Sequence, residues 1–130
     1  MSTTSSAESV LGGAVPVLRI TDERLARDFY LGYLGFTVLW EHRFEAGLPL
    51  YLRLVRDKLT LDLSEHHGDG TPGGVVWIPV GDVTALHSEL AAKPDARIRP
   101  GIDTGAPGGP TMEVIDPFAN TLRFCQPDEA

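Results

Sequence analysis

The chain has 130 residues, of which 42% are hydrophobic and 22% are charged, as expected for one globular domain with a sizeable core. Its formal net charge of −7 leaves no basic face for phosphates, which argues against a nucleic-acid partner. No apolar run approaches the ~20 residues that span a bilayer, and the single cysteine excludes an internal disulfide. These properties predict a cytoplasmic protein without a membrane partner.

The beginning of the chain is rich in serine and threonine and has no basic start followed by an apolar stretch. This composition is not typical of a secretory signal, and we expect residues 1–12 to form a disordered tail. Residues 13–127 are then predicted to form a single domain.

The first half of this domain, residues 14–65, predicts one helix and four strands. An apolar strand over 14–20 is followed by a helix that Thr21 or Asp22 can cap and Gly35 can end. Strands are predicted over 36–44, 50–55 and 59–63. In the last strand, alternation turns three leucines inward and places Thr60, Asp62 and Ser64 on the opposite face.

The second half, residues 74–126, repeats this order after a polar, glycine-rich connection. A buried strand over 75–80 and a helix over 82–93 follow, in which Val75 and Asp82 come 60 residues after Val15 and Asp22. A short strand over 97–99, a long Gly/Pro-rich loop and two strands over 112–115 and 121–126 follow. The chain is therefore predicted to be α+β, with two βαβββ modules in tandem that form a curved sheet with a concave cleft.

The concave face should carry the residues that decide function. Strand parity places on it Thr60, Asp62, Ser64, Val75, Trp77, Thr121, Arg123 and Cys125. The flat indole of Trp77 suits stacking on an aromatic part of a ligand, and Trp40, Phe44 and Met112 are further candidates for the wall. For each tryptophan, ordinary packing in the core is the alternative.

Five segments resemble the vicinal-oxygen-chelate superfamily, which includes glyoxalase I, extradiol dioxygenases and the fosfomycin- and bleomycin-resistance proteins. They read A-V-P-V-L at 14–18, D-F-Y-L-G-Y-L-G-F at 28–36, E-H-R-F-E-A-G-L-P-L-Y at 41–51, L-S-E-H-H-G-D at 63–69 and D-P-F-A-N-T-L-R-F at 116–124. The first, third and fourth segments are most similar to the bleomycin-resistance branch. The resemblance implies a homodimer, domain-swapped or not, with clefts built from both chains.

Metal-dependent members of the superfamily take their ligands from the first strand and the last strand of each module. Those positions fall here on Val15, Val75 and Arg123, and only Asp62 keeps an oxygen ligand. One carboxylate cannot build a metal site, so the resemblance implies the scaffold without its metal and without another cofactor. Asp62 and Arg123 occupy equivalent places, and we hypothesise an ion pair between them. The alternative is that both are independently solvated.

A cluster of polar residues at the connection looks at first like a metal site. His66 and His67 are adjacent, however, so on a strand they would point in opposite directions. With Glu65 and Asp69 they are better interpreted as a polar turn.

The resemblance supports two functions. The first is non-catalytic resistance by sequestering bleomycin-type cationic glycopeptides, with Trp77, Phe44 and Met112 in apolar contact and Asp62, Glu65 and Glu113 facing positive groups. Ser64, Trp40 and Arg123 complete the predicted ligand site. The alternative is a metal-dependent glyoxalase- or dioxygenase-like enzyme. Relatives carry a Trp-Gly pair in the loop that lines the cleft, whereas residues 105–110 here read G-A-P-G-G-P.

Overall fold

The computed structural model describes residues 9–94 and 96–128, and the fold consists of two four-stranded sheets. The first sheet contains β1 (Val17–Arg19), β2 (Thr37–His42), β3 (Tyr51–Arg56) and β4 (Leu59–Ser64) in the order β1-β4-β3-β2. The second contains β5 (Val75–Pro79), β6 (Ile102–Asp103), β7 (Thr111–Ile115) and β8 (Thr121–Cys125) in the order β5-β8-β7-β6. This repeated order confirms the predicted α+β fold with two similar modules.

Each module has a helix that begins at an aspartate. The helix α1 (Glu23–Arg27) is capped by Asp22, whose Oδ1 accepts the Leu25 N–H at 2.9 Å, and it continues as a π-helical segment over Asp28–Tyr33. The helix α2 (Val83–Ala91) is capped in the same way by Asp82. Both predicted helix starts are therefore confirmed. The second helix ends two residues earlier than predicted, at Ala91.

Two strand predictions need correction. Residues 75–80 were expected to be buried, but only one face of β5 meets the core: Ile78 is 6% exposed, whereas Val75 and Trp77 are 53% and 49% exposed. Residues 97–99 form no strand. The short edge strand is β6 instead, because pairing with β7 begins where Ile102 lies opposite Met112.

The predicted tail falls mostly outside the described part of the chain. Residues 9–12 are exposed and belong to no helix or strand, so the boundary of the domain stays a prediction. Among the described residues, no helix has the length and apolar character needed to cross a membrane.

One hydrophobic core joins the two modules. It includes leucines of β3 and β4, Val114 and Leu122 of the second sheet, and residues of both helices. Buried polar contacts also cross between the modules: the Tyr30 hydroxyl donates to Asp116 Oδ2 at 2.6 Å, and Asn120 Nδ2 donates to the Arg19 carbonyl at 3.0 Å. Since each sheet turns its apolar face to this shared core, the opposite face of each sheet is directed away from it.

Candidate functional site

The face of the first sheet that points away from the core is built around a buried carboxylate. Strand register places Val17, Asp62, Arg53 and Trp40 side by side across β1, β4, β3 and β2. Arg53 Nε and Nη2 donate to Asp62 Oδ1 and Oδ2 at 2.7 and 2.9 Å, which is a bidentate pair. The Tyr51 hydroxyl donates to Asp62 Oδ2 at 2.5 Å. Both carboxylate oxygens are therefore engaged within the sheet.

These contacts decide the protonation of the group. Burial opposes ionisation of Asp62, but the hydrogen bonds from Arg53 and Tyr51 and the charge of Arg53 outweigh it and lower the pKa of the carboxyl. Burial, together with the hydrogen bond to Asp62 and its charge, raises the pKa of Tyr51 to about 12. At neutral pH Asp62 is ionised and Tyr51 keeps its proton.

Aromatic side chains extend from this carboxylate towards the edge of the sheet. The Trp40 and Tyr51 rings are nearly parallel, with centroids 5.8 Å apart, and the Arg53 Cζ atom lies 4.9 Å from the Trp40 ring centroid. His42 and Phe44 meet edge to face at 4.6 Å. Trp40 is 42% exposed and Phe44 is 72% exposed, so both present ring surface to solvent.

A pocket of about 440 Å³ opens at this edge. Aromatic rings, imidazoles and one carboxylate line it, namely Trp40, His42, Phe44, Tyr51, His66, His67 and Asp69. The Ser64 hydroxyl donates to Asp69 Oδ2 at 2.8 Å and accepts the His66 N–H at 3.0 Å. Ser64 thus holds the connection between the modules against the pocket.

The second sheet has a comparable face with a different charge arrangement. Trp77, Arg123 and Glu113 lie side by side across β5, β8 and β7. Arg123 Nε donates to Glu113 Oε2 at 2.7 Å, and the two side chains are 48% and 52% exposed. A Cβ placed on Gly108 would lie 3.8 Å from Trp77, so the loop over 105–110 passes beside this indole.

The hypothesised ion pair between Asp62 and Arg123 is wrong. The two residues do occupy equivalent places, but Asp62 pairs with Arg53 and Arg123 pairs with Glu113, each on the neighbouring strand of its own sheet. Cross-strand neighbours lie close together because sheet geometry puts them there, whereas residues of separate sheets meet only if the sheets face each other.

The predicted site residues fall into two groups. Trp40, Phe44, Trp77 and Arg123 are exposed on the faces that point away from the core, together with Glu113. Asp62 and Ser64 are on the first face but are buried under their neighbours, and Glu65 accepts the Leu50 N–H at 2.9 Å beside Arg43.

Met112 was predicted to line the cleft, and this is wrong. It is fully buried in the core and pairs with Phe124, because β7 turns Met112 and Val114 inward and Glu113 outward.

Sequence reasoning did not select Tyr51 and Arg53, which lie on the face of β3 opposite its buried leucines. The two-residue turn at Asp57-Lys58 contains the missing signal, since counting outward from it pairs Arg53 with Asp62. The two histidines that looked like part of a polar turn also border the pocket.

The residues present do not fit the metal site of the related enzymes. Both oxygens of Asp62 already accept hydrogen bonds, and its neighbours across the sheet are Val17 and Arg53. Within residues 9–94 and 96–128, no group of three or more histidine, cysteine, aspartate or glutamate side chains could hold a metal ion.

Two βαβββ modules, each with an aromatic and ion-paired face, define a small scaffold with room for a small-molecule ligand. The chain belongs to the glyoxalase superfamily: a family model described as a glyoxalase superfamily protein matches residues 2–130. A comparison with curated protein sequences finds no significant match.

Solved structures share this fold along nearly the whole chain. The bleomycin-binding protein of Streptomyces verticillus, in complex with copper(II)-bleomycin, is 25% identical with a TM-score of 0.67, covering 92% of this chain and 98% of that one. A bleomycin resistance determinant encoded on the transposon Tn5 is 22% identical with a TM-score of 0.69, covering 92% and 100%. A glyoxalase family protein from Enterococcus faecalis is 15% identical with a TM-score of 0.66, covering 88% and 97%.

Proposed function

We propose that this protein confers resistance by binding a bleomycin-type glycopeptide in a cleft between two copies of the chain, without converting it. The similarity to the bleomycin-binding protein of Streptomyces verticillus supports this proposal. We further propose that it acts in the cytoplasm, where its free Cys125 stays reduced.

The observation that carries the proposal is the exposure of large apolar side chains on both sheet faces. Trp40, Phe44 and Trp77 are 42%, 72% and 49% exposed, and Val75 and Ile115 are both 53% exposed. Apolar groups concentrated on one face, rather than scattered singly, typify a surface that a ligand or a partner covers. Tryptophan and phenylalanine also provide the flat walls that stack on heteroaromatic rings.

The direction of the two faces supports a dimer. Both faces point away from the core that the modules share, so a ligand that lies on one face is not covered by the other sheet of the same chain. A second copy would supply that wall by placing its second sheet over the first sheet of its partner, and a twofold dimer would then contain two equivalent clefts.

Charge favours a cationic ligand. The chain carries a net charge of −7, which attracts positive molecules at long range. Glu113 is half exposed on the same face as Trp77, two strands away and paired with Arg123, and Asp69 lies in the pocket of the first face. Carboxylates next to aromatic walls suit the amino groups of a glycopeptide.

The test is a titration with metal-free and copper-loaded bleomycin, followed by tryptophan fluorescence, with elemental analysis of the protein as isolated. We expect saturable quenching at about one ligand per chain and weaker binding for Trp40→Ala and Trp77→Ala, by about tenfold or more. Leu11→Ala is the matched control, since Leu11 is 92% exposed and belongs to neither sheet.

Two results would overturn the proposal. Absence of saturable binding to the wild-type protein would exclude bleomycin-type ligands. If about one zinc, nickel or iron per chain were also found, the metal-dependent enzyme of the same superfamily would be the better interpretation, with ligands at other positions.

A further inference from the structure

The first face holds a cation that its ion pair leaves partly unused. Arg53 Nε and Nη2 donate to Asp62, whereas Nη1 donates to no atom within residues 9–94 and 96–128. The Arg53 side chain is 31% exposed, while the side chain of Asp62 is 2% exposed. The outer edge of the guanidinium therefore has hydrogen-bond donors available to a ligand.

This edge lies next to the aromatic pocket. Arg53 sits opposite Trp40 on the neighbouring strand, and its Cζ atom is 4.9 Å from the indole centroid. Trp40 and Tyr51 both border the pocket. Trp40 contacts Arg53, and Tyr51 donates a hydrogen bond to Asp62. Arg53 itself does not line the pocket, but it lies beside the Trp40 ring that does, so a planar group that extends from the pocket along this ring comes within reach of the guanidinium.

We propose that Arg53 is the specificity-determining residue of this face, donating from Nη1 to an oxygen acceptor on a planar aromatic ligand, and that Asp62 is its positioning residue. The inference deepens the proposed function, because it concerns the same face, and it names the class of group bound there. That class is an aromatic or heteroaromatic ring carrying an amide or carbonyl oxygen.

The geometry makes Arg53 a suitable donor. Two parallel hydrogen bonds to a buried carboxylate fix the guanidinium plane, so little side-chain freedom remains to be lost when a ligand binds. Guanidinium is also weakly hydrated compared with an ammonium group, which favours direct contact with an acceptor. The Tyr51 hydroxyl also donates to Asp62 Oδ2, the oxygen that accepts from Arg53 Nη2, and this third hydrogen bond further fixes the carboxylate.

The second module provides an internal comparison. At the place equivalent to Arg53, β7 has Glu113, and the arginine is on β8 as Arg123. Only Nε of Arg123 donates to that carboxylate, and both side chains are about half exposed. The second face therefore has no fixed donor at the equivalent place. We accordingly assign the binding of a ligand's oxygen acceptor to the first face.

The experiment uses two neutral probes of similar shape, 2-naphthamide and 2-ethylnaphthalene, so that net charge does not contribute. All variants carry Trp77→Phe, which leaves Trp40 as the single tryptophan because the chain has two. Binding is followed by the NMR shift of the Trp40 indole N–H. We expect 2-naphthamide to bind about tenfold more tightly than 2-ethylnaphthalene, as a hydrogen bond to a charged donor predicts.

Four variants separate the roles. Arg53→Met should abolish the preference for the amide while leaving 2-ethylnaphthalene binding within about twofold, because only the donor is removed. Arg53→Lys keeps the positive charge but loses the planar set of N–H donors, and Asp62→Asn removes the charged partner that fixes the guanidinium plane. Both substitutions should reduce the preference for 2-naphthamide. Arg24→Met is the control, because Arg24 lies on α1, belongs to neither sheet and has a side chain that is 85% exposed, and it should change neither affinity.

A double variant and the ratio of the two probe affinities keep the test decisive. Arg53→Met could fail to fold because Asp62 is left without its partner. In that case the double variant Arg53→Met with Asp62→Asn, which also removes the buried charge, is used in place of the single variant. A purely structural role for Asp62 would weaken both probes equally, whereas a positioning role changes their ratio.

The outcomes for this inference and for the proposed function are distinct. No preference for 2-naphthamide in the parent protein, no binding of it, or a preference that survives in Arg53→Met would overturn the inference, even if bleomycin binds. If bleomycin does not bind but the amide preference depends on Arg53, the antibiotic proposal fails and the inference stands.

Discussion

Asp62 shows how one residue organises a surface without touching solvent. It is 1% exposed, yet it fixes Arg53 and Tyr51, and through Arg53 it borders Trp40. Burying a charge is costly, so a pair of this kind contributes little net stability compared with apolar packing of the same volume. Its effect is to hold the neighbouring side chains in one arrangement, and breaking it leaves a buried group without its partner.

Asp62→Asn should lower the free energy of unfolding by about 2 kcal/mol at pH 7. The pKa of Asp62 is lower in the folded protein than its unfolded value of about 3.9, so the stability that ionisation contributes is complete above that value. It is lost as the pH falls through the folded pKa. We therefore expect the difference between wild type and variant to narrow below about pH 4.

Urea unfolding at pH 7 and at pH 3 measures this difference. Asp28→Asn is the control, since Asp28 is 71% exposed and lies 3.8 Å from Arg24 on the helix surface. A gap between wild type and Asp62→Asn that stays constant with pH would contradict the ion-pair interpretation.

At the scale of the elements, the connection between the modules is held against β1. Gly70 has φ +66°, and a Cβ there would lie 2.8 Å from the Val17 carbonyl oxygen and 3.1 Å from the Arg19 nitrogen. Gly68 in the same connection has φ +91°, but a Cβ there would lie more than 4 Å from every described residue other than its two chain neighbours. The two glycines therefore share a left-handed backbone and differ in the space around them.

Gly70→Ala and Gly68→Ala form a matched pair for this contact. Gly68→Ala should lower stability by about 1 kcal/mol, from the left-handed backbone alone. Gly70→Ala should lose about 2 kcal/mol more, because the connection must move off β1. Thermal unfolding monitored by circular dichroism compares them, and equal losses would show that the connection is free to shift.

The strands also show how far sequence reasoning reaches. Alternation predicted the two faces of β4, and aspartate caps predicted both helix starts, because these patterns depend on neighbours along the chain. Met112 was placed on the wrong face because an error of one residue along a strand moves a side chain from one face of the sheet to the other.

The partners of Asp62 and Arg123 were wrong for a different reason. The sequence shows that the two residues are equivalent, but the packing of the sheets decides whether equivalent residues meet, and that packing depends on contacts such as Tyr30 with Asp116. Such long-range contacts leave no local pattern in the sequence.

For the whole molecule, the outward direction of both faces leads to a test of the proposed dimer. Trp40 and Trp77 lie on different sheets, so a cleft between chains would combine Trp40 of one copy with Trp77 of the other. Trp40→Ala and Trp77→Ala homodimers would each have two damaged clefts. A mixed dimer would have one intact cleft and one cleft with both defects.

Mixing the two variants, after partial unfolding and refolding to exchange chains, should restore tight bleomycin binding to about a quarter of the clefts if chains assort at random. Isothermal titration calorimetry counts these sites, and each variant refolded alone is the control. Sedimentation equilibrium of the wild type should give twice the chain mass of 14.1 kDa. A monomer, or a mixture with no recovered sites, would contradict the shared cleft.

Asn120 couples the modules at the same scale. Its side chain is fully buried, donates to the Arg19 carbonyl and to Asp116 Oδ2, and accepts the Gly74 N–H. Asn120→Ala should lower the free energy of unfolding by about 3 kcal/mol, since it removes the side-chain donor to the Arg19 carbonyl, one donor to the buried Asp116 and one acceptor of the Gly74 N–H. Tyr30→Phe, which removes a single hydrogen bond to Asp116, should lose about half as much in the same urea experiment.

The two modules carry their ion pairs with opposite polarity. In the first, the anion is on the last strand and the cation beside it; in the second, the order is exchanged. The two modules therefore share the same strand order, but the positions of their positive and negative side chains are exchanged. A cleft that combines one face of each kind has unlike walls, and an elongated guest has a defined head and tail within it.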